Sequence, residues 1–437
     1  MRRNFLRISA IGGFIFFLTI SVNAQFSTNS PYTRFGLGDI AHGGFGQNKA
    51  MGGTGLAISD ANKLNYMNPA AYSARDSMSV LFDFGLSAFR NQYITSSSEN
   101  DIIWTNANLD HFALSVPIGN TFAMATGLVP YSSVGYNARQ EYDELGTGDA
   151  IDLYYKGDGG ILKYFLGMSV EFFDRVSLGV NMNYLLGNIN RQRALIFPRN
   201  RGFAQTTALN EINISHTYPG FGFLYKEIIN DKFFFSIGGV YDLETNLKST
   251  FKQTVTNNFS GNASYLDSLY INTEYDITEQ EDDGHITIPE RLGVGLSLGI
   301  PNKLTVTADY YKQDWASVNN SNINAEGFEL ANSQSFHAGL EYTPDFEAFR
   351  GYYNLMSYRV GGYMKDAYVQ VDDFQLKDYG MTFGVGLPLG KTKSSMNISF
   401  TYGTRGTTDN NLVMENYGIL TFNVTLHDLW FYKQKFD

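Results

Sequence analysis

From residue 78 onward the chain repeatedly alternates apolar residues with polar or small ones at a period of two. Leu292, Val294, Leu296, Leu298 and Ile300 alternate with Gly293, Gly295, Ser297 and Gly299, and Leu420, Phe422, Val424 and Leu426 alternate with Thr421, Asn423, Thr425 and His427. Successive side chains of a strand point to opposite faces, so this spacing predicts β-strands with one apolar and one polar face. Fourteen strands are predicted, within 78–91, 106–117, 121–136, 159–170, 175–190, 208–228, 232–252, 287–300, 303–316, 333–343, 353–368, 376–390, 394–405 and 414–428. No stretch after residue 24 is a long uninterrupted apolar helix.

A sandwich would turn the apolar faces toward each other, whereas an outer-membrane barrel turns them to lipid and lines its interior with the polar faces. The connections decide between the two. Short turns at Gly119-Asn120, Phe173-Asp174, Asn230-Asp231, Pro301-Asn302 and 391–393 alternate with long segments at 137–158, 191–207, 253–286 and 317–332. Short turns at one rim and long loops at the other are what a transmembrane barrel requires. The expected fold is all-β: a closed antiparallel transmembrane barrel of about fourteen strands, spanning 78–437. Closure leaves no unpaired edge in lipid, where unsatisfied backbone groups are costly.

Residues 1–24 read as an export signal: Arg2, Arg3 and Arg7 precede the apolar IGGFIFFLTI, and Val22-Asn23-Ala24 supplies small residues for cleavage. Composition agrees with an outer-membrane destination in a Gram-negative cell, with the long loops outside. The chain holds 29 Tyr, 34 Phe and 44 Gly but only 17% charged residues, so much of its surface need not face water. Its net charge of −11 argues against a nucleic-acid partner, and the lack of cysteine excludes a disulfide framework or a lipidated cysteine.

Residues 25–77 do not alternate. They carry AMGGTGLAISD and NYMNPAAYS, with glycines for tight turns and a fixed Pro69, ahead of the first strand. A polar interior wide enough for this many strands needs filling, and the segment is placed to fold inward as a plug. Here the chain resembles the FadL/TodX family of outer-membrane channels for hydrophobic compounds. The resemblance implies a hatch inside a fourteen-stranded barrel, with Gly52, Gly53, Gly55, Asn68, Pro69 and Ala70 as hatch and gating positions. It also implies passive uptake of a hydrophobic or amphiphilic, fatty-acid-like ligand, leaving past the hatch or through a lateral gap where a strand kinks. Pro130, Pro219 and Gly220 are the candidate kinks, since proline removes a ladder donor and glycine weakens a strand.

No histidine spacing suits zinc, no GxSxG elbow is present, and no cofactor is called for, so a non-enzymatic role is expected. In EQEDDGHITIPE, Glu279, Glu281, Asp283 and Glu290 fall at calcium-loop spacing, but a solvated acidic external loop explains them better. Expected partners are membrane lipid, a hydrophobic ligand and other outer-membrane proteins. Two functions remain open: a plugged channel for hydrophobic molecules, or a non-transporting barrel subunit of an assembly or secretion complex. A continuous apolar cavity reaching a gap in the wall would point to the first; a blocked lumen with exposed apolar patches would point to the second.

Overall fold

The computed structural model describes residues 28–74, 78–95, 102–142, 151–197, 205–230, 232–258, 275–318, 328–371, 373–390, 392–409 and 412–430. The export signal and residues 25–27 and 75–77 of the plug lie outside this set. The described plug contains a short strand β1 (Asp39–Ile40), a one-turn helix α1 (Gly46–Ala50) and two 3-10 turns, Pro31–Arg34 and Pro69–Ser73.

The wall begins with β2 (Ser79–Ile94), β3 (Ile102–Ile118), β4 (Phe122–Tyr142), β5 (Ile151–Phe172), β6 (Val176–Ile196) and β7 (Gln205–Ile229). It continues with β8 (Phe233–Asp242), β9 (Thr245–Asn258), β10 (Tyr275–Ile288), β11 (Arg291–Ile300) and β12 (Leu304–Gln313). It ends with β13 (Phe328–Leu330), β14 (Ser333–Tyr342), β15 (Ser357–Val371), β16 (Phe374–Pro388), β17 (Ser395–Arg405) and β18 (Met414–Leu429), and a second short helix α2 (Tyr352–Leu355) precedes β15. All wall pairings are antiparallel, and β18 pairs with β2 from Leu429↔Ser79 to Met414↔Ile94, which closes the barrel. β8 with β9, β10 with β11, and β13 with β14 are each one stave interrupted for two residues, so the wall has fourteen staves.

Alternation explains the outer surface. In β11, Leu292, Val294, Leu296 and Leu298 are exposed while Gly293, Gly295 and Ser297 turn inward, and β6 shows the same with Leu178, Val180, Met182, Tyr184 and Leu186 outward. These exposed side chains form the lipid-facing band.

Three expectations need correction. Segments predicted as long connections are largely strand: β4 runs to Tyr142, β5 starts at Ile151, and β9 and β10 occupy most of 253–286. The acidic run is likewise not a loop. Glu279, Glu281 and Asp283 lie in β10 opposite Thr254, Lys252 and Thr250. Extended backbone separates such alternate residues by about 7 Å, which cannot wrap a cation as a calcium loop does. Glu290 sits at the interruption after β10 and accepts a hydrogen bond from the Tyr241 hydroxyl at 2.5 Å. Finally, the interior is not uniformly polar: apolar clusters fill much of it between plug and wall, with ion pairs such as Asp39–Arg405–Asp378 among them.

Candidate functional site

The plug is fastened to the wall through its backbone. The N–H groups of Gly55 and Leu56 donate to Asp309 Oδ2 at 2.7 and 3.0 Å, and Gly52 N–H donates to Thr382 Oγ1 at 2.8 Å. Asn68 is fully buried; its Nδ2 donates to the carbonyls of Leu56 (2.7 Å) and Phe223 (2.9 Å), while its Oδ1 accepts from Ala70 N–H at 3.0 Å. That last bond caps the 3-10 turn, whose first residue, Pro69, has no N–H to satisfy. A Cβ on wall residue Gly179 would fall on the Pro69 carbonyl, and one on Gly222 on Asn68 Oδ1. Gly52, at φ +71°, passes so close to the carbonyls of Gly362 and Ala338 that no side chain fits there. Gly53 adjoins the His42 ring instead.

His42 of the plug and His337 of β14 stack with ring centroids 3.9 Å apart and planes 8° from parallel. His337 Nδ1 donates to the Gly52 carbonyl at 2.6 Å, and His42 Nε2 to the Gly53 carbonyl at 3.2 Å. Burial, reinforced by His337, holds the His42 imidazole well below its ordinary range, so it is neutral.

Near the short-turn end, polar wall groups meet under the plug. His111 bridges Asp83 (2.6 Å) and Asp110 (2.8 Å), Asp110 pairs with Lys49 of α1, and Phe45 stacks on the His111 ring at 3.8 Å. Lys63 joins Asp60 and Glu341, each at 3.0 Å, and Arg359 joins Glu341 at 2.6 Å. None of these groups was singled out from sequence. Their one signal was an ionisable residue at an inward strand position, such as Asp83 between Phe82 and Phe84.

Toward the long-loop end the plug enters a packed apolar core. Tyr32, Phe35 and Leu37 share one buried cluster with the inward wall residues Ile161, Leu185, Ile189, Leu247 and Ile286 and with Trp315, which follows β12 in a 3-10 turn; these last six are fully buried. Phe35 stacks on Phe328 at 5.3 Å, and Tyr368 donates its hydroxyl to the Gly38 carbonyl at 2.6 Å. The cavities beside the plug are small, about 60, 150 and 210 Å³; a wider one of about 610 Å³ lies at the short-turn mouth.

The predicted kinks fall at irregularities of the wall. The β3–β4 ladder stops at Phe112↔Leu128, and the β4–β5 register shifts between Pro130 and Ser132. Plug backbone takes up part of the freed β4 edge: Asp39 and Ile40 pair with Ser133 and Ser132, Ala41 N–H donates to the Tyr131 carbonyl, and Ser30 N–H to that of Gly135. Pro219 and Gly220 flank a second interruption. β7 pairs with β9 up to Ile214↔Ser249 and with β8 only from Gly220↔Asp242.

At the short-turn rim, bulky apolar groups face outward. Phe173 is 90% exposed with φ 55°, a conformation unusual for a bulky residue, and Phe349 is fully exposed near Phe346, Tyr352 and Tyr353.

Solved structures share this architecture. The Pseudomonas putida toluene transporter TodX matches with a TM-score of 0.59 at 16% identity, over 90% of this chain and 100% of that one. The Ralstonia pickettii toluene transporter TbuX matches at 0.56 and 15%, over 88% and 98%. A Pseudomonas aeruginosa FadL homologue matches at 0.54 and 14%, over 91% and 99%. At these identities the likeness is one of fold. No curated protein matches the chain. A family model described as BamG matches residues 6–437.

Proposed function

The chain belongs to the BamG family, and on that premise we propose that it is a plugged, non-transporting outer-membrane barrel serving as a subunit of an envelope-protein assembly complex. The observation that carries this reading is the closed lumen. The plug is held by buried backbone hydrogen bonds toward the short-turn end and packs into an apolar core toward the long-loop end, and the cavities beside it are small. A conducting channel would have to dismantle that core each time a ligand passed. Exposed aromatics on opposite sides of the short-turn rim, Phe173 on one and Phe349 on the other, offer apolar contacts to protein partners at the end that faces the periplasm in this reading.

A second reading, a channel for small hydrophobic molecules, is favoured by the interrupted β3–β4 seam and by the architecture shared with the toluene transporters. Depleting the protein in cells separates the two. The assembly reading expects the folded, heat-modifiable fraction of other outer-membrane barrels to fall. Slower uptake of toluene or decanoate, with those barrels folded at normal levels, would reject it in favour of the channel.

A further inference from the structure

The interruption between β7 and the β8–β9 stave leaves residues 215–219 and 243–248 outside the ladder. It lies at the upper edge of the lipid-facing band: the facing β6 residues Met182, Tyr184 and Leu186 are exposed opposite Pro219, Thr217 and Ser215, whereas Glu244, Asn246 and Lys248 are exposed on the other side and Lys248 N–H donates to His216 Nδ1 across the gap. Unpaired backbone at that depth is tolerated only where it borders a polar, water-holding space. Such a space is present: the cavity of about 60 Å³ lies behind it, lined by Tyr218, Asp242, Leu243 and Arg291 and, on its far side, by Tyr131 and Lys163. Proline lowers the number of stranded donors on the β7 side, through Pro219.

What distinguishes the cavity is an excess of donors. Arg291 Nε is buried without a hydrogen-bond partner, and its one ion pair among the described residues is to Asp242, at 2.8 Å. The Lys163 ammonium lies 5.2 Å from the Tyr66 ring centroid and has no ion pair among the described residues. The hydroxyls of Tyr131 and Tyr218 likewise have no hydrogen-bond partner among the described residues. Asp242 is the one carboxylate on the lining. Two cations and two hydroxyls therefore face a space of roughly two water volumes, and a buried charge in a membrane barrel marks a site for a partner charge.

We propose that this cavity binds the anionic head group, a carboxylate or phosphate, of a single-chain amphiphile whose tail leaves through the β7/β8–β9 interruption. The tail would lie against Phe221 and Leu243, which are exposed on either side of the gap. The site is separate from the β3–β4 seam and needs no passage past the plug, so it holds whether or not the barrel transports anything.

The test uses the purified full-length barrel in nanodiscs and native mass spectrometry with decanoate, decyl phosphate, decanol and inorganic phosphate. One decanoate or decyl phosphate per barrel is expected, with decanol and inorganic phosphate bound at least about tenfold more weakly, the scale of a charge-assisted hydrogen bond. The tighter of the two anions identifies the source as a carboxylate or a phosphate lipid. Lys163→Met should weaken anion binding about tenfold while the barrel stays heat-modifiable. If that variant does not fold, Tyr218→Phe should still weaken it several-fold. A decanoate carrying a terminal diazirine should label the Tyr241–Glu244 region. Equal binding of decanol, unaltered binding by the variants, or labelling confined to the β3–β4 seam would overturn the proposal.

Discussion

Asn68 concentrates the logic of the plug in one side chain. It satisfies two carbonyls and one N–H that no water could reach, so its loss strands buried acceptors. Asn68→Ala should destabilise the plug by about 2–4 kcal/mol, seen as faster amide exchange and protease cleavage in residues 52–73, with the heat-modifiable barrel band intact. The two neighbouring glycines share a left-handed backbone (φ +71° and +82°) but differ in what a Cβ meets: Gly52→Ala runs into wall carbonyls, whereas Gly53→Ala meets the His42 side chain. Cleavage within the plug should therefore rise more for Gly52→Ala, and equal sensitivity would refute the assigned contacts. His42 adds a pH dependence. Its folded value lies well below the ordinary 6.5, so the neutral ring stabilises the plug fully above about pH 6.5, and that contribution is lost as pH falls toward the depressed value. His337, Lys365 and Arg291 all disfavour a proton on it. The protection of amides across residues 48–55, taken relative to their intrinsic exchange rates at each pH, should fall as pH drops below the ordinary histidine range, and His42→Gln should flatten that profile.

At the scale of elements, strand periodicity made the wall legible, because one face meets lipid whatever fills the lumen. All fourteen predicted strands correspond to staves, and Pro130, Pro219 and Gly220 lie at or beside ladder irregularities. Strand ends were less legible. The staves rise beyond the lipid band, where alternation no longer has to separate lipid from lumen, so the end of β9 and nearly all of β10 fall in a segment that reads as a loop. The inward glycines were read only as small residues of a polar face. In the structure Gly179, Gly222, Gly238 and Gly295 are where plug backbone presses on the wall, a pairing of distant segments that no local pattern encodes. The strand assignment of the acidic run has its own consequence. Glu281→Gln with Asp283→Asn should leave the heat-modifiable band and the melting temperature unchanged with or without calcium, because β10 is held by its ladder to β9. A calcium-dependent loss of stability would restore the loop reading.

For the whole molecule, the plug and the wall form one packed body, its ladder closed around the barrel apart from the β3–β4 and β7/β8–β9 interruptions and its axis filled by its core. A barrel built this way offers its environment surfaces rather than a passage, and the most conspicuous apolar groups of its short-turn rim are Phe173 and Phe349, on opposite sides. The most direct measurement is the mass and composition of the particle extracted from native membranes in mild detergent. The account predicts a particle larger than the 48.9 kDa chain, containing other outer-membrane proteins at fixed stoichiometry, which dissociates when Phe173→Asp and Phe349→Asp are combined in a barrel that still folds. Recovery of wild type as a solitary barrel, under conditions that keep other envelope complexes intact, would contradict it.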